Sequence, residues 1–410
     1  MTAFGLWWWL ACRAEPDGRW FHPPEAFAPE DRARVEELMA IGYAEGTTAG
    51  HAGVGVLHRS DAAEPGFALY ASGHGPEAVL MDLDGNELHR WHHDFWATWP
   101  DAPVSRSPGS VHNFRRVRLL PDGSLLAIHE GLGIVRLGPD DVPIWAELNG
   151  AHHDAVVRPN GTVMVLVRRP ENVPWLSTRG PVLADAVAIL DVESGVTLRR
   201  ISILEAFKGK AQLLQALGGD DGDPLHTNSI EVLSAPLRGT GGRAGDLLLS
   251  LRTPSLLAVI DVETGALLWS SRGPFRQQHD ARVDGPSAVL IFDNSGSKEG
   301  ARVLRLDVPQ PRVLRSWGPE VHLHSPLLGA VARLPGGHVM VTESEGGRAF
   351  EVGENGEVVW EFHNPHRAGD NDEWVAALFE LVRLPADFPV DWARGVAVPP
   401  RGPDGGSGCW

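Results

Sequence analysis

The chain has 410 residues, with 36 Lys or Arg against 53 Asp or Glu, and a formal net charge of −17. This acidic balance argues against a nucleic-acid partner, which needs a basic surface. Because Cys12 and Cys409 are the only cysteines, the sequence also disfavours a disulfide framework and a cysteine-based metal site.

The N-terminus contains a short apolar run, residues 3–10, followed by Ala11 and Cys12. The run is too short to span a bilayer. We interpret residues 1–12 as a bacterial lipoprotein signal with a lipid anchor at Cys12, which would place the protein in the periplasm or on the cell envelope. The segment has no Lys or Arg, so a disordered apolar tail or a mis-chosen start codon is the alternative interpretation.

Residues 13–66 form a lead before the repeats begin. Glu30 and Asp31 precede apolar residues at helical spacing, which predicts one short amphipathic helix that ends near Gly42. The glycines at positions 46–53 predict a flexible joint.

From residue 67 the sequence consists of short apolar runs separated by turn signals. One run follows a turn of the Pro-Gly or Asn-Gly type, as at Leu120-Pro121-Asp122-Gly123. A later run follows an acidic turn such as Glu263-Thr264-Gly265 and carries a tryptophan, as in Leu267-Leu268-Trp269. Four such strands per unit, with turns between them, are the sequence pattern of a β-propeller blade.

The units repeat six times between residues 67 and 390. Five complete units cover 111–149, 151–203, 225–272, 277–318 and 322–363, whereas the unit at 67–91 has only three strands. Residues 379–385 match the first strand of the other units. We therefore predict an all-β fold, a six-bladed β-propeller closed by a C-terminal strand, because closure removes open sheet edges.

Two stretches exceed the repeat length. Residues 170–185 and 203–224 are predicted to be loops that shape a binding site, the second with a helix in it. Residues 391–410, rich in Pro and Gly, are predicted to be a disordered tail.

A histidine opens the first strand of several units. The segments are His153-Asp154-Ala155, His279-Asp280-Ala281, His112-Asn113-Phe114 and His226-Thr227-Asn228, and His324 has a similar place in a further unit. First strands line the channel of a propeller, so we expect these imidazoles at one mouth, with Arg252 reaching inward from the second strand of the His226 unit. A cluster of titratable groups is typical of a functional site, although one structural histidine per blade is the alternative.

Two chemistries fit a ring of imidazoles with one arginine. Three or four neutral imidazoles could bind iron or zinc. Alternatively, one neutral imidazole is a nucleophile while the others and Arg252 stabilise an oxyanion. Arg252 favours the second chemistry, because a guanidinium suits a sulfate or phosphate and is unfavourable beside a metal. We therefore predict no metal and no cofactor, and keep a His-ligated metalloenzyme and a non-catalytic binding or scaffold propeller as alternatives.

The order of these motifs resembles the bacterial arylsulfate sulfotransferases. The segments that carry the resemblance are His153-Asp154, His226-Thr227-Asn228-Ser229, Leu251-Arg252-Thr253, Gln278-His279-Asp280 and Gly356-Glu357-Val358-Val359-Trp360. The resemblance covers about residues 67–390. It implies a six-bladed propeller that moves a sulfuryl group from a phenolic sulfate ester to a phenolic acceptor through a sulfohistidine, without the donor PAPS.

The resemblance also implies roles for individual residues. His279 would be the nucleophile, and His153, His226 and Arg252 would bind the sulfuryl oxygens and help the phenolate to leave. Asn228, His112 and His324 are expected to contact the substrate. His153 is expected to face the channel rather than His152, because only His153 is in register with His279. Since the nucleophile must be neutral, activity should fall below the ordinary histidine pKa of about 6.5.

Overall fold

The computed structural model describes residues 24–39, 46–47, 53–103, 110–218, 222–298, 300–318, 321–369, 371 and 373–395. The predicted signal, both cysteines, the predicted helix end at Gly42 and residues 396–410 lie outside these ranges. Among the described helices, none is long and apolar enough to cross a membrane.

Helices are few and short among the described residues. The lead contains α1 (Arg32–Met39), whose Val35 and Leu38 are buried, as the helical spacing predicts. The other α-helices are α2 (Phe95–Thr98), α3 (Ile203–Ala206) and α4 (Ala211–Ala216), and 3-10 turns lie at Pro24–Ala26, Lys208–Lys210 and Asp391–Gly395.

The main secondary structure of the described residues is the β-strand. In chain order they are β1 (Gly46–Thr47), β2 (Gly55–Arg59), β3 (Phe67–Ser72), β4 (Glu77–Asp82), β5 (Glu87–His92), β6 (Arg116–Leu119), β7 (Leu125–His129), β8 (Gly133–Leu137), β9 (Pro143–Glu147), β10 (Ala151–Val157), β11 (Thr162–Glu171), β12 (Val182–Asp191), β13 (Thr197–Ser202), β14 (Thr227–Val232), β15 (Leu247–Leu251), β16 (Leu256–Ile260), β17 (Leu267–Ser271), β18 (His279–Val283), β19 (Ala288–Asp293), β20 (Arg302–Asp307), β21 (Arg312–Trp317), β22 (Ala330–Arg333), β23 (Val339–Glu343), β24 (Arg348–Val352), β25 (Val358–His363), β26 (Arg367–Ala368), β27 (Trp374–Ala376) and β28 (Leu378–Leu384).

The described strands form six antiparallel sheets of four or five strands and one small sheet. The larger sheets have the orders β28-β3-β4-β5, β6-β7-β8-β9, β10-β11-β12-β13, β14-β15-β16-β17, β18-β19-β20-β21 and β2-β25-β24-β23-β22, and the small one is β1-β27-β26. Four of the larger sheets are up-and-down meanders of four consecutive strands, whereas the other two include β28 or β2 from the opposite end of the chain. A series of four-stranded sheets is the organisation of a β-propeller.

The middle strands are buried on both faces because each sheet packs against two neighbours. On β15, Leu247 and Leu249 pack with Met164 and Val187 of the preceding sheet. Leu248, which points to the other face, packs instead with the following sheet. Alternation along a strand thus supplies two hydrophobic layers. This explains why β16 is a continuous apolar run and why Ser250 is the one polar residue of β15.

The first strands of the sheets lie together. In order, β6, β10, β14, β18, β22 and β28 each contact the next, and β6 contacts β3. β28 pairs with β3, with Leu381 opposite Tyr70, which is the pairing that the sequence predicts. The histidine-bearing strands β10, β14 and β18 are therefore neighbours.

A buried ion-pair network joins the first strands. Asp154 of β10 accepts hydrogen bonds from Arg118 at 2.7 Å and from Arg282 at 2.9 Å. Asp280 of β18 accepts the backbone N–H of Val331 at 2.7 Å. The aspartates of the two His-Asp motifs therefore connect strands of different sheets.

The structure corrects several boundaries expected from the sequence. Residues 170–185 do not form one loop, because β11 and β12 extend through them and pair as far as Glu171 and Val182. Residues 203–216 form α3, a 3-10 turn and α4 rather than one helix. The described part of the supposed joint contains β1, which pairs with β27, and β2 adds a fifth strand to the last large sheet.

The expected disordered tail also begins too early. Residues up to Gly395 form a 3-10 turn. The indole ring of Trp392 lies 5.6 Å from that of Trp91, centroid to centroid, and 5.2 Å from the ring of His89. These aromatic contacts fix the segment against the first sheet.

Candidate active site

Three of the predicted histidines lie on neighbouring first strands. His153 is within β10, His279 is the first residue of β18, and His226 immediately precedes β14. The rings of His153 and His226 are 5.0 Å apart, centroid to centroid, in an edge-to-face arrangement. The structure thus brings these side chains together, with His153 rather than His152 against His226.

The backbone at these histidines is strained. His153 and His226 have φ of 50° and 47°, and Gln277 and Asp280, on either side of His279, have φ of 53° and 55°. Non-glycine residues seldom occupy this region. The strand register also shifts within β10, β14 and β18 at these positions. Strain concentrated at one place in a fold is characteristic of functional sites.

His279 presents one free nitrogen. Its Nδ1 lies 2.8 Å from Oδ1 of Asn294, whose Nδ2 donates to the carbonyl oxygens of Ser325 and Leu328 at 2.7 Å each. The side chain is buried, and Nε2 has no hydrogen-bond partner among the described residues. Because the Asn294 oxygen can only accept, Nδ1 carries the proton and Nε2 carries the lone pair.

The imidazole of His279 is held neutral. Burial is the main cause that lowers its pKa well below the ordinary value, and the charges of Arg252, Arg115 and His226 lower it further, against the hydrogen bond to Asn294. A buried, neutral imidazole with a free lone pair is a nucleophile that needs no deprotonation at neutral pH.

His226 is paired with a carboxylate. Its Nδ1 lies 2.6 Å from Oδ2 of Asp223, and its backbone N–H donates to the other oxygen of Asp223 at 3.0 Å. Burial acts to raise the pKa of Asp223, but the charge of His226 and the hydrogen bond from it bring that pKa down to about 2. The carboxylate of Asp223 therefore fixes the orientation of the His226 ring.

Arg252 is held beside His226. Its backbone N–H donates to the carbonyl oxygen of His226 at 3.2 Å, and its charge lowers the pKa of His279. The side chain is partly exposed. The backbone of Arg252 thus contacts His226, and its positive charge acts on His279.

His153 belongs to a buried group with His152 and Glu130. The Nδ1 atoms of the two histidines are 2.9 Å apart, and Nδ1 of His153 is 3.3 Å from Glu130 Oε1. These three side chains have ligand atoms close enough for one metal ion. Two guanidinium groups lie against Glu130, from Arg168 at 3.4 Å and Arg115 at 3.9 Å. This positive charge disfavours a cation there.

Arg115 is a second arginine of the site, and the sequence analysis missed it. It is buried, and its guanidinium lies 5.4 Å from the ring centroid of Phe379. Its charge lowers the pKa values of both His153 and His279. Arg115 follows His112-Asn113-Phe114 directly, so its place beside a repeated histidine motif was the available signal.

Asn228 supports the strand that carries His279. Its Nδ2 donates to the carbonyl oxygen of Gln278 at 2.8 Å, and its Oδ1 is buried with no hydrogen-bond partner in the described chain. The supporting contact is therefore made to the backbone next to His279. The free oxygen is an acceptor, which suits a hydroxyl rather than a sulfuryl oxygen.

His112 and His324 lie at the periphery. Both side chains are exposed, and within the described residues neither makes a hydrogen bond or ring contact with His279. His112 instead lowers the pKa of the buried His129. The backbone N–H of His324 donates to Glu343.

The remaining missed residues have weak sequence signals. Asp223 lies three residues before His226, within residues 203–224, which the sequence predicts to be a loop. Asn294 follows β19, the second strand of the His279 sheet, and reaches His279 only because β18 and β19 pair with His279 opposite Phe292.

One family profile matches more than half of the chain. The profile described as arylsulfotransferase (ASST) matches residues 116–365. The chain belongs to the arylsulfotransferase (ASST) family. The matched region of this chain contains His153, His226, His279 and Arg252. No curated protein matches the sequence.

Several solved structures resemble this chain at low sequence identity. A protein of unknown function from Bacteroides caccae is 13% identical, with 73% of this chain and 94% of that chain covered and a TM-score of 0.48. The WD40 β-propeller domain of Doa1 is 11% identical, with 79% and 87% covered and a TM-score of 0.44. A streptogramin B lyase is 10% identical, with 78% and 87% covered and a TM-score of 0.40.

Proposed function

We propose that the protein is a closed six-bladed β-propeller enzyme that transfers a sulfuryl group from a phenolic sulfate ester to a phenolic acceptor through His279. The six larger sheets would be the blades, and β28 would complete the first of them by its pairing with β3. Membership of the arylsulfotransferase family supports a reaction of this class.

The observation that carries the proposal is the state of His279. Its Nε2 is buried and unpartnered within the described residues, its Nδ1 proton is bound by Asn294, and its pKa is lowered by burial and by Arg252. A neutral nucleophile surrounded by positive charge suits an anionic sulfate ester. The arginines attract the sulfuryl oxygens, and burial strengthens that attraction.

In the first half-reaction, the Nε2 lone pair of His279 attacks sulfur and forms an N–S bond. The bond between sulfur and the aryl oxygen breaks, and its electron pair stays on the phenolate. His226, protonated and held by Asp223, donates a proton to the departing oxygen. Arg252 and Arg115 balance the charge of the sulfuryl oxygens during transfer.

In the second half-reaction, a phenol takes the place of the product. His226, now neutral, accepts the proton of the phenol hydroxyl, and the phenolate oxygen attacks sulfur. The N–S bond breaks and its electron pair returns to Nε2 of His279. Both histidines regain their starting protonation states, so the cycle needs no oxidant, reductant or nucleotide.

The experiment is intact-mass measurement of the protein mixed with 4-nitrophenyl sulfate in the absence of an acceptor. The expected result is release of 4-nitrophenol equal to the enzyme concentration and a mass gain of one sulfuryl group. His279→Ala should show neither change. His58→Ala is the matched control, because His58 is an exposed histidine on β2 and its removal should leave both signals intact.

Other outcomes separate the alternatives. Phenol release that depends on a stoichiometric metal and stops with a chelator would support a metalloenzyme at Glu130, His152 and His153. Absence of adduct and of phenol release across a panel of aryl sulfates would indicate a binding propeller. A fully active His279→Ala enzyme would refute the proposed nucleophile.

A further inference from the structure

We infer that Asn294 fixes the reactive tautomer of His279 and leaves the Nδ1 proton in place while the imidazole carries the sulfuryl group. The inference deepens the proposed function and rests on it for its catalytic part. Asn294 acts through His279 and is therefore a positioning residue.

The orientation of the Asn294 amide is determined by its surroundings. Its two N–H bonds point at two carbonyl oxygens, those of Ser325 and Leu328, both at 2.7 Å. Reversing the amide would place its oxygen against both carbonyls, so Oδ1 must face His279 Nδ1 at 2.8 Å. An amide oxygen accepts but does not donate, and the proton of His279 is therefore on Nδ1. Nε2 remains available for attack.

An amide at Nδ1 also differs from a carboxylate in its effect after Nε2 of His279 has attacked sulfur. Once Nε2 has bonded to sulfur, the ring carries a positive charge that could be lost only by releasing the Nδ1 proton. The oxygen of Asn294 is too weak a base to take that proton. The intermediate then stays an imidazolium beside a negative sulfuryl group. A cationic ring is a better leaving group than a neutral one, so the sulfuryl group remains transferable.

The two histidines of the site differ in a matching way. His226, which must bind and release a proton, has the carboxylate of Asp223 on its Nδ1 at 2.6 Å. His279, which must stay neutral before attack, has an amide on its Nδ1 at 2.8 Å. A carboxylate on His279 would favour the protonated ring and remove the lone pair from Nε2. The choice of partner therefore assigns proton transfer to one histidine and covalent chemistry to the other.

The first test is independent of catalysis. In ¹⁵N NMR of histidine-labelled protein without substrate, signals that disappear in His279→Gln identify the two ring nitrogens of His279. We expect a protonated Nδ1 and an unprotonated Nε2 at neutral pH. A proton on Nε2, or a doubly protonated ring, would overturn the inference whether or not the protein transfers sulfuryl groups.

The second test removes the partner. In Asn294→Ala, His279 should no longer populate the Nδ1–H tautomer alone, and phenol release in the first turnover should slow by roughly 10²- to 10⁴-fold with little change in KM. The matched control is Asn364→Ala, because Asn364 is equally buried and its amide donates to a backbone carbonyl, that of Ala376. An unchanged tautomer in Asn294→Ala, or equal slowing in the control, would refute the positioning role.

The outcomes of these tests distinguish the role of Asn294 from the transferase function. Wild-type protein with Nδ1–H at His279 but no sulfuryl adduct would leave Asn294 as the tautomer partner and reject the transferase function. An adduct at His279 with the Nε2–H tautomer in the resting protein would keep the transferase function and reject the role of Asn294.

Discussion

Replacing Asp154 by asparagine tests whether the charge network holds the first strands together. Asp154 is completely buried and accepts hydrogen bonds from Arg118, Arg282 and the backbone N–H of Ile230. Burial alone would raise its pKa, but the charges of Arg282, Arg116 and Arg118 lower that pKa instead. Asparagine keeps the shape of the side chain and removes the charge.

The expected cost follows from the buried positive charge that the substitution leaves behind. Arg116, Arg118 and Arg282 would share two remaining carboxylates, Asp280 and Glu380. Removing one member of a buried ion pair costs about 3–5 kcal/mol of unfolding free energy. Because the strands β6, β10 and β18 meet at this network, the loss should appear in global unfolding.

The assay compares the urea unfolding of Asp154→Asn with that of Asp84→Asn, monitored by fluorescence at pH 7. Asp84 forms an ion pair with Arg59 on the surface, where 66% of the Asp84 side chain and 42% of the Arg59 side chain are exposed. Replacing Asp84 should therefore cost about 0–1 kcal/mol of unfolding free energy. The pKa of Asp154 is depressed in the folded state, so its stabilisation is present above about pH 4 and is lost as pH falls through the folded pKa. Equal midpoints for the two variants at pH 7 would refute the stabilising role of the network.

Further predictions concern the reaction and the N-terminus. Because the pKa of His279 is lowered, the rate of phenol release in the first turnover should stay constant as pH falls through 6.5 and decline only at lower pH; a midpoint at 6.5 or above in stopped-flow measurements would contradict this. Arg252→Gln should slow that release roughly 10²- to 10³-fold and move the acid midpoint upward, and Arg252→Lys should restore part of the rate; equal rates for the two variants would argue against a specific guanidinium contact. Asp223→Asn should slow release from esters of weakly acidic phenols more than from 4-nitrophenyl sulfate, roughly 10²-fold for the former, and a uniform loss would argue against proton donation by His226. Cys12→Ser should move the protein from the membrane fraction to the soluble fraction of bacterial cells, and an unchanged distribution would reject the lipoprotein interpretation.

The strand units could be predicted because turns and apolar runs are local. Each turn depends on a few residues, such as Leu120-Pro121-Asp122-Gly123, and the following strand, β7, begins within one residue of the prediction. β2 was missed because its sequence gives little sign of a strand and its partner, β25, lies about 300 residues later. Its Leu57 stays exposed, so no burial pattern marks it.

The residues of the candidate site also differ in whether the sequence could predict them. His153, His226 and His279 could be predicted because a repeat places equivalent residues at equivalent positions. Asn294 and Asp223 could not, because their roles depend on the side-chain contacts that the fold produces. Nothing in the local sequence around Asn294 shows which imidazole it contacts.

The structure also explains why aspartate follows histidine in two of the units. Asp154 accepts the backbone N–H of Ile230 from β14, and Asp280 accepts that of Val331 from β22. In each motif the histidine contributes to the site while the next residue ties its strand to the strand of another sheet. The positive φ values at His153 and Asp280 turn the backbone at this point, so that adjacent side chains can do both. Repetition of the motif therefore reflects two requirements, a fixed imidazole and a fixed strand, and a substitution of the aspartate should disturb the histidine through the backbone they share.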